Sequence, residues 1–343
     1  MMKNLKMILL ICLIALAFIS CKSAPEIPEW VNSGKSPVKY KPLLYMVGIG
    51  EGPDLVSAKD NARAEIAKQF SLKIEQKMQV MESYKGVNNE NGSSWIMKTD
   101  INDLTRTYVS ETVNGIEVPE IWEDKKNNRF YAFAVLRRSP AMIRLQEKVT
   151  DLDDKINGNV KLSKKATDTL QKIRPLVKSF ELMKERVIAN QQLMVVNYAG
   201  QGIEPDVSPA QLDNMLSESL HNLRISIECE GAENVQIKNA IMESLNNGRI
   251  SVSKEGEKSQ ILVKGLVSIK QTNKNNKTGY TFVKINASLS LINQEDGRTF
   301  GQVEHTMRDG AMNLEDAQSK TMTKLVMQIV QKFNSTLYDY LSL

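Results

Sequence analysis

An unbroken apolar run from Ile8 to Ile19 stands behind Lys3 and Lys6 and stops at Ser20-Cys21-Lys22. A helix needs about 20 apolar residues to cross the hydrocarbon core of a bilayer, and this run is shorter. A charged start, an apolar middle and a small residue before the chain turns polar are the order of a cleavable export signal. Residues 1–20 are therefore expected to be removed, and what folds is the chain that follows, outside the cytoplasm.

The end of that signal, Phe18-Ile19-Ser20-Cys21, resembles the lipobox of bacterial lipoproteins, with Phe18 where leucine is usual. The resemblance implies cleavage between Ser20 and Cys21, and S-diacylglyceryl and N-acyl groups on Cys21. The competing reading is an ordinary secretory signal followed by an incidental cysteine, but an Ala-x-Ala-type cleavage site is absent. One acyl chain holds a protein marginally and two or more hold it stably, so a processed Cys21 would tie the chain to membrane lipid. By the sorting convention of such lipoproteins, Lys22 in place of Asp favours the outer membrane, facing the periplasm.

Cys12 leaves with the signal and Cys21 is acylated, so Cys229 is left without an intrachain disulfide partner. Ile225, Ile227 and Cys229 alternate, which puts Cys229 on the apolar face of a strand as a buried structural thiol. The formal charge of +5 becomes +3 when Lys3 and Lys6 depart. So mild a balance gives no nucleic-acid reading.

The 343 residues suffice for two domains. Residues 21–42 are rich in proline, lysine and serine and read as a lipidated tether, with Trp30 and Val31 as docking points. Residues 43–139 read as an α+β domain. Its strand Leu43 to Val47 leads through Gly48-Ile-Gly-Glu-Gly-Pro53 into a helix whose face includes Val56, Ala64, Ala67 and Phe70. Leu72, Ile74, Met78 and Val80 recur at even spacing and predict a strand. A polar loop from Gly86 to Ser93, a helix over 95–110 and strands near 115–122 and 129–136 complete this domain.

Pro28-Glu-Trp-Val31, Gly48-Ile-Gly-Glu-Gly52, Ala58 and Asn61-Ala-Arg-Ala-Glu-Ile-Ala67 resemble the Lpp-twenty family of bacterial outer-membrane lipoproteins, which is also similar to the N-terminal domain of flagellar assembly protein T. The resemblance covers about Pro28 to Arg138 and implies an envelope location without an enzymatic reaction. It implies structural places for the motif: Trp30 packed against the strand, Gly48 and Gly50 permitting the turn, and Ala58, Ala62 and Ala67 letting helix approach sheet. A phosphate-cradling loop is disfavoured, because these glycines are followed by Pro53 and Asp54 with no lysine to meet phosphate.

Residues 140–199 read as a helical connector. Met142, Leu145, Val149, Leu152 and Ile156 form one apolar stripe, Asn157-Gly-Asn159 interrupts it, and Ala166, Leu170, Ile173, Val177 and Phe180 form a second, with Pro175 kinking it. Two helices folding back as a hairpin bury both stripes, either against their own domains or as a coiled-coil arm for a partner. Residues 200–343 read as a second α+β domain, mostly antiparallel. Its helices cover about 209–222, 235–245 and 314–340, and its strands 224–230, 250–253, 261–271, 281–292 and 299–305, with a hairpin loop over 272–279. This order resembles the small domain shared by the TolB N-terminus, the peptidoglycan-synthase activator LpoB and flagellar assembly protein T, which implies protein recognition.

Catalytic patterns are weak. His221 and His305 fall on different elements outside any zinc motif, no Gly-x-Ser-x-Gly elbow occurs, and Asp151, Asp153 and Asp154 lie beside Lys148 and Lys155 as on a solvated helix face. The expectation is two small α+β domains with antiparallel sheets and a hairpin-like helical connector, behind a signal peptide and tether. No enzyme, cofactor or metal is expected. The protein is expected to be a lipid-anchored binding or assembly factor with an envelope protein as partner. The alternatives are a surface-exposed adhesin-like antigen and, from another class, a peptidoglycan hydrolase.

Overall fold

In the computed structural model, residues 27–88, 115–231, 234–254, 257–272 and 279–343 are described. Ser20, Cys21, the helix expected over 95–110 and the central part of the 272–279 loop lie outside them. No helix among the described residues is long and apolar enough to cross a membrane.

The chain divides into two compact units, one holding residues 1–69 and 113–139 and the other residues 70–112 and 140–343. Both combine helices with a sheet, so the α+β class holds.

In the first unit a short helix α1 (Glu29–Ser33) precedes strand β1 (Tyr45–Gly52) and the start of helix α2 (Leu55–Asn88), which runs on past residue 69. Strands β2 (Ile116–Asp124) and β3 (Arg129–Arg137) complete an antiparallel sheet in the order β1-β3-β2. Pro119 has no N–H to give the ladder, and the β2–β3 register slips between Glu117 and Glu120. Asp54 opens α2 by accepting from the backbone N and hydroxyl of Ser57, both at 2.8 Å. The buried face of α2 is Ala58, Ala62, Ile66 and Phe70 at a spacing of four, while Val56 and Ala64 are exposed.

The strand expected at Leu72 to Val80 is helix, because α2 runs through it to Asn88. Its charged, Gln and Met residues between the apolar ones are good helix formers, and that preference outweighs a few apolar residues at even spacing. The helix also takes in the start of the loop expected from Gly86.

In the second unit, helices α3 (Arg138–Lys165) and α4 (Thr169–Val196) form the hairpin. They are followed by α5 (Pro209–His221), β4 (Arg224–Gly231), α6 (Asn234–Asn247), β5 (Ser251–Val252), β6 (Ile261–Thr272), β7 (Thr281–Asn293), β8 (Thr299–Ala311) and α7 (Leu314–Leu341). The break expected at Asn157-Gly-Asn159 does not occur. Leu152, Ile156 and Val160 continue one buried stripe across it, and the chain turns instead at Ala166–Asp168. Asp168 then caps α4 by accepting from Gln171 N at 2.9 Å.

Strand order is β5-β4-β6-β7-β8. Strands β6, β7 and β8 form an antiparallel meander, but β4 runs parallel to both β5 and β6, so this sheet is mixed. The parallel pair follows from α6, which carries the chain back to the starting end of the sheet between β4 and β6. One sheet face, including Ile225, Val263, Ile285, Leu289 and Val303, is buried with Leu325, Ile329 and Phe333 of α7. The other carries Lys264, Ser268, Asn286, Thr306 and Arg308. Ile156, Val160, Ile173, Val177 and Phe180 of the hairpin belong to this same core, so the hairpin packs on its own unit.

Strand β8 is an edge. The outward carbonyl of Glu304 accepts from Lys332 Nζ at 3.2 Å and the N–H of Gly310 donates to Asp309 Oδ1 at 2.8 Å, so two of its ladder groups are already engaged.

Candidate functional site

The residues singled out in the first unit meet on the two faces of β1. Gly48, Gly50 and Gly52 alternate with Val47 and Ile49, which puts all three glycines toward α2. A Cβ on Gly50 would stand 2.1 Å from the backbone N of Ala62 and 2.4 Å from the carbonyl of Ala58; on Gly48 it would stand 2.4 Å from the carbonyl of Ala62. Gly48 and Gly50 therefore serve a strand face against a helix backbone, and the turn role expected of them is corrected. Ala58 and Ala62 are fully buried at this contact, and Ala67 is half-buried.

Asn61, a motif residue without an assigned role, donates from Nδ2 to the Glu51 carbonyl at 2.8 Å, and Gln69 donates to the Val47 carbonyl at 3.1 Å. Both carbonyls belong to β1, the sheet edge, which α2 thereby closes.

On the opposite face Trp30 is buried against Phe133, ring centroids 5.6 Å apart, with Tyr40 5.3 Å from the same ring. Val31, Tyr45, Val47, Ile49, Trp122 and Tyr131 complete this cluster. The stretch read as a tether is thus folded from Pro28 onward. Its outer side differs: Ile27, Val38, Leu43 and Leu44 are exposed, Val38 to 87%.

In the second unit a cleft of about 540 Å³ is lined by Ser163, Lys164, Thr169, Lys172, Leu176, Met215, Glu218, Ser219 and Asn222. It lies where the end of α3, the start of α4 and α5 meet. Its hydroxyls, amide, two ammonium groups and one carboxylate can hold a small polar ligand; no nucleophile paired with a base is among them.

Elsewhere several buried polar side chains are engaged in structural pairs. Arg186, 3% exposed at its side chain, forms a two-pronged pair with Asp153, Nε to Oδ1 2.9 Å and Nη2 to Oδ2 3.1 Å, and also donates to the Ile203 carbonyl at 2.7 Å. Asn190 accepts from Ile203 N at 2.8 Å, which fastens the segment after α4 to that helix. Asp153 is therefore not part of a solvated face, unlike Asp151, which pairs with Lys155 at 2.6 Å. The carboxylate of Glu181 takes both Lys184 Nζ, at 2.8 Å, and the hydroxyl of Tyr338. Burial, with Glu181 beside it, pushes the Tyr338 hydroxyl well above its ordinary range.

His221 ends α5 and His305 lies on β8. Among the described residues no three His, Cys, Asp or Glu side chains come together as metal ligands. Cys229 is half-buried, with its sulfur 2.6 Å from where a Cβ of Gly265 would stand. Burial raises its thiol pKa against a smaller opposing effect of Lys238, which keeps it protonated at neutral pH.

Asp309 receives Lys324 Nζ at 2.5 Å and Lys320 Nζ at 3.2 Å, and the bond from Lys324, then that from Gly310 N, lowers its pKa from 3.8 to about 2. A lowered carboxylate stabilises the fold above its unfolded pKa, and this support is lost as pH falls from about 4 to 2. The lysines are half exposed, and solvent screening holds the contribution to roughly 1 kcal/mol. Asp309→Asn is expected to lower the urea midpoint at pH 6 and leave it unchanged at pH 2; an equal deficit at both values would refute the ion-pair origin.

The sheet of the first unit thus sets a glycine-lined strand against an alanine-lined helix and buries an N-terminal tryptophan on its other face. Residues 28–137, ending on the last residue of β3, match the LPP20 lipoprotein family. No curated protein matches the chain. Among solved structures, the secreted protein HP1454 from Helicobacter pylori is similar at 13% identity and a TM-score of 0.44, over 84% of this chain and 97% of that one. A minor lipoprotein from Acinetobacter baumannii is similar at 9% identity and TM-score 0.25, over 35% of this chain and 91% of that one. Lipoprotein GNA1162 from Neisseria meningitidis is similar at 9% identity and TM-score 0.23, over 31% of this chain and 95% of that one.

Proposed function

We propose that the mature chain is held on the outer membrane through an acylated Cys21, faces the periplasm, and acts there as a non-enzymatic binding or assembly factor for another envelope protein. The observation that carries this reading is the LPP20 lipoprotein match beginning at residue 28, a few residues after the lipobox-like Phe18-Ile19-Ser20-Cys21. A binding role is supported by the side chains that could have carried chemistry. Asp153, Glu181, Arg186 and Tyr338 are bound to one another in structural pairs, and Cys229 is kept as a thiol.

Intact mass of the protein taken from purified outer membranes tests the anchor, and protease added to whole cells tests the orientation. An acylated N-terminus on residue 21 with both units resistant in intact cells is the expected result. Digestion in intact cells would put the units on the surface, and clearing of a peptidoglycan gel by purified protein would replace binding with hydrolysis. Cys21→Ser removes the acyl chains, so membrane-bound protein is expected to fall by about tenfold or more in cell fractions.

A further inference from the structure

The segment from Ile27 to Leu44 has two unlike sides. Inward, Trp30, Val31 and Tyr40 pack with Phe133 and its neighbours. Outward it leaves Ile27 53%, Val38 87%, Leu43 59% and Leu44 53% exposed, four large apolar side chains within eighteen residues of sequence. The backbone holding them is fixed: Arg138 donates from N to the Leu44 carbonyl at 2.9 Å and from Nε to the Pro42 carbonyl at 2.8 Å. Lys35, Lys39 and Lys41 are interleaved with them against Glu29 alone among the described residues of the segment. Lys39 reaches Glu120 at 2.7 Å, while Lys35 and Lys41 are exposed.

We propose that this outward side is a lipid-facing surface, in which Ile27, Val38, Leu43 and Leu44 enter the boundary between headgroups and acyl chains while Lys35 and Lys41 meet anionic headgroups. The proposal rests on the reading of Cys21 as the lipid anchor. Ile27 lies six residue steps after Cys21, a reach of about 20 Å when fully extended, so the anchor keeps the segment near the bilayer. Apolar side chains beside lysines are the composition of surfaces that lie in a membrane interface. A second copy is a poorer occupant, because two such basic surfaces repel when brought face to face.

The test uses acylated protein, its acyl mass confirmed, in vesicles of phosphatidylethanolamine with a minority of phosphatidylglycerol. A polarity-sensitive label is placed at Leu43→Cys, and for comparison at Glu295→Cys in the turn between β7 and β8, both in a Cys229→Ser background. The expected result is a label at 43 that is blue-shifted and quenched by headgroup-level spin-labelled lipid, beside one at 295 that reports water. A label at 43 that reports water in the acylated protein overturns the surface and leaves the anchor standing. One shielded from aqueous quencher but untouched by spin-labelled lipid also overturns it, in favour of a protein occupant. If the acyl mass is absent, the anchor reading falls and the surface is judged alone by pelleting with the same vesicles. An about tenfold loss in the Val38→Ser, Leu43→Ser, Leu44→Ser variant then supports it, and equal pelleting overturns it.

Discussion

An Arg186→Ala chain is expected to lose about 3–5 kcal/mol of unfolding free energy, because its deletion strands a mostly buried carboxylate and a backbone carbonyl at once. Asp153 is 15% exposed at its side chain, and Arg186 supplies it with two bonds. Ile203 loses the donor to its carbonyl while its N–H stays on Asn190, so the segment after α4 is held at one point rather than two. The measurement is a urea titration of the single variants and of Asp153→Leu with Arg186→Met together. Burying neither charge is usually less harmful than burying one alone, so the double variant is expected to recover most of the loss. If it is as unstable as the singles, packing rather than the ion pair is what Arg186 supplies.

Gly50→Ala is expected to cost about 3 kcal/mol or more, by a different route. The added Cβ meets backbone, 2.1 Å from Ala62 N and 2.4 Å from Ala58 O, and backbone cannot turn aside as a side chain can. Either α2 lifts off the sheet or β1 leaves β3. Hydrogen exchange at β1 and β3 amides should accelerate strongly, with β6 and β7 unaffected. Gly158→Ala is the matched control: its Cβ meets nothing within 4 Å inside helix α3, so alanine there should stabilise by about 0.5–1 kcal/mol. Equal behaviour of the two variants would show that the close approach at Gly50 is not tight.

What the sequence made legible was local. The alternation in Ile261–Thr272 and Thr281–Asn293 marks two long strands, and Leu325, Ile329 and Phe333 mark the buried side of α7. The parallel pairing of β4 with β6 was not legible, since nothing within either strand records the direction of its neighbour. Leu72 to Val80 misled because four apolar residues can satisfy a period of two by chance inside a helix. For the motif, glycines at 48, 50 and 52 fit a turn or one strand face equally well; the deciding signal lay downstream, in Ala58 and Ala62 spaced by four, whose helix needs a bare strand to lie on. Asp153 looked like its neighbours because its partner is 33 positions away. The trace it left was Arg186 itself, a cation next to Val187-Ile-Ala189 on a helix with no exposed residue from Ser179 to Val196.

The pairing of Tyr45 with Arg137 has a mechanical consequence. In an antiparallel pair the strand that enters and the strand that leaves share one end, so tension between the chain before β1 and the chain after β3, as the proposed anchor at Cys21 would bring, pulls the two strands apart like a zipper, bond by bond. That loading is the weakest a sheet can meet. It falls first on the end where Arg138 grips the carbonyls of Pro42 and Leu44, so these contacts act as the stop that must fail before the zipper can open.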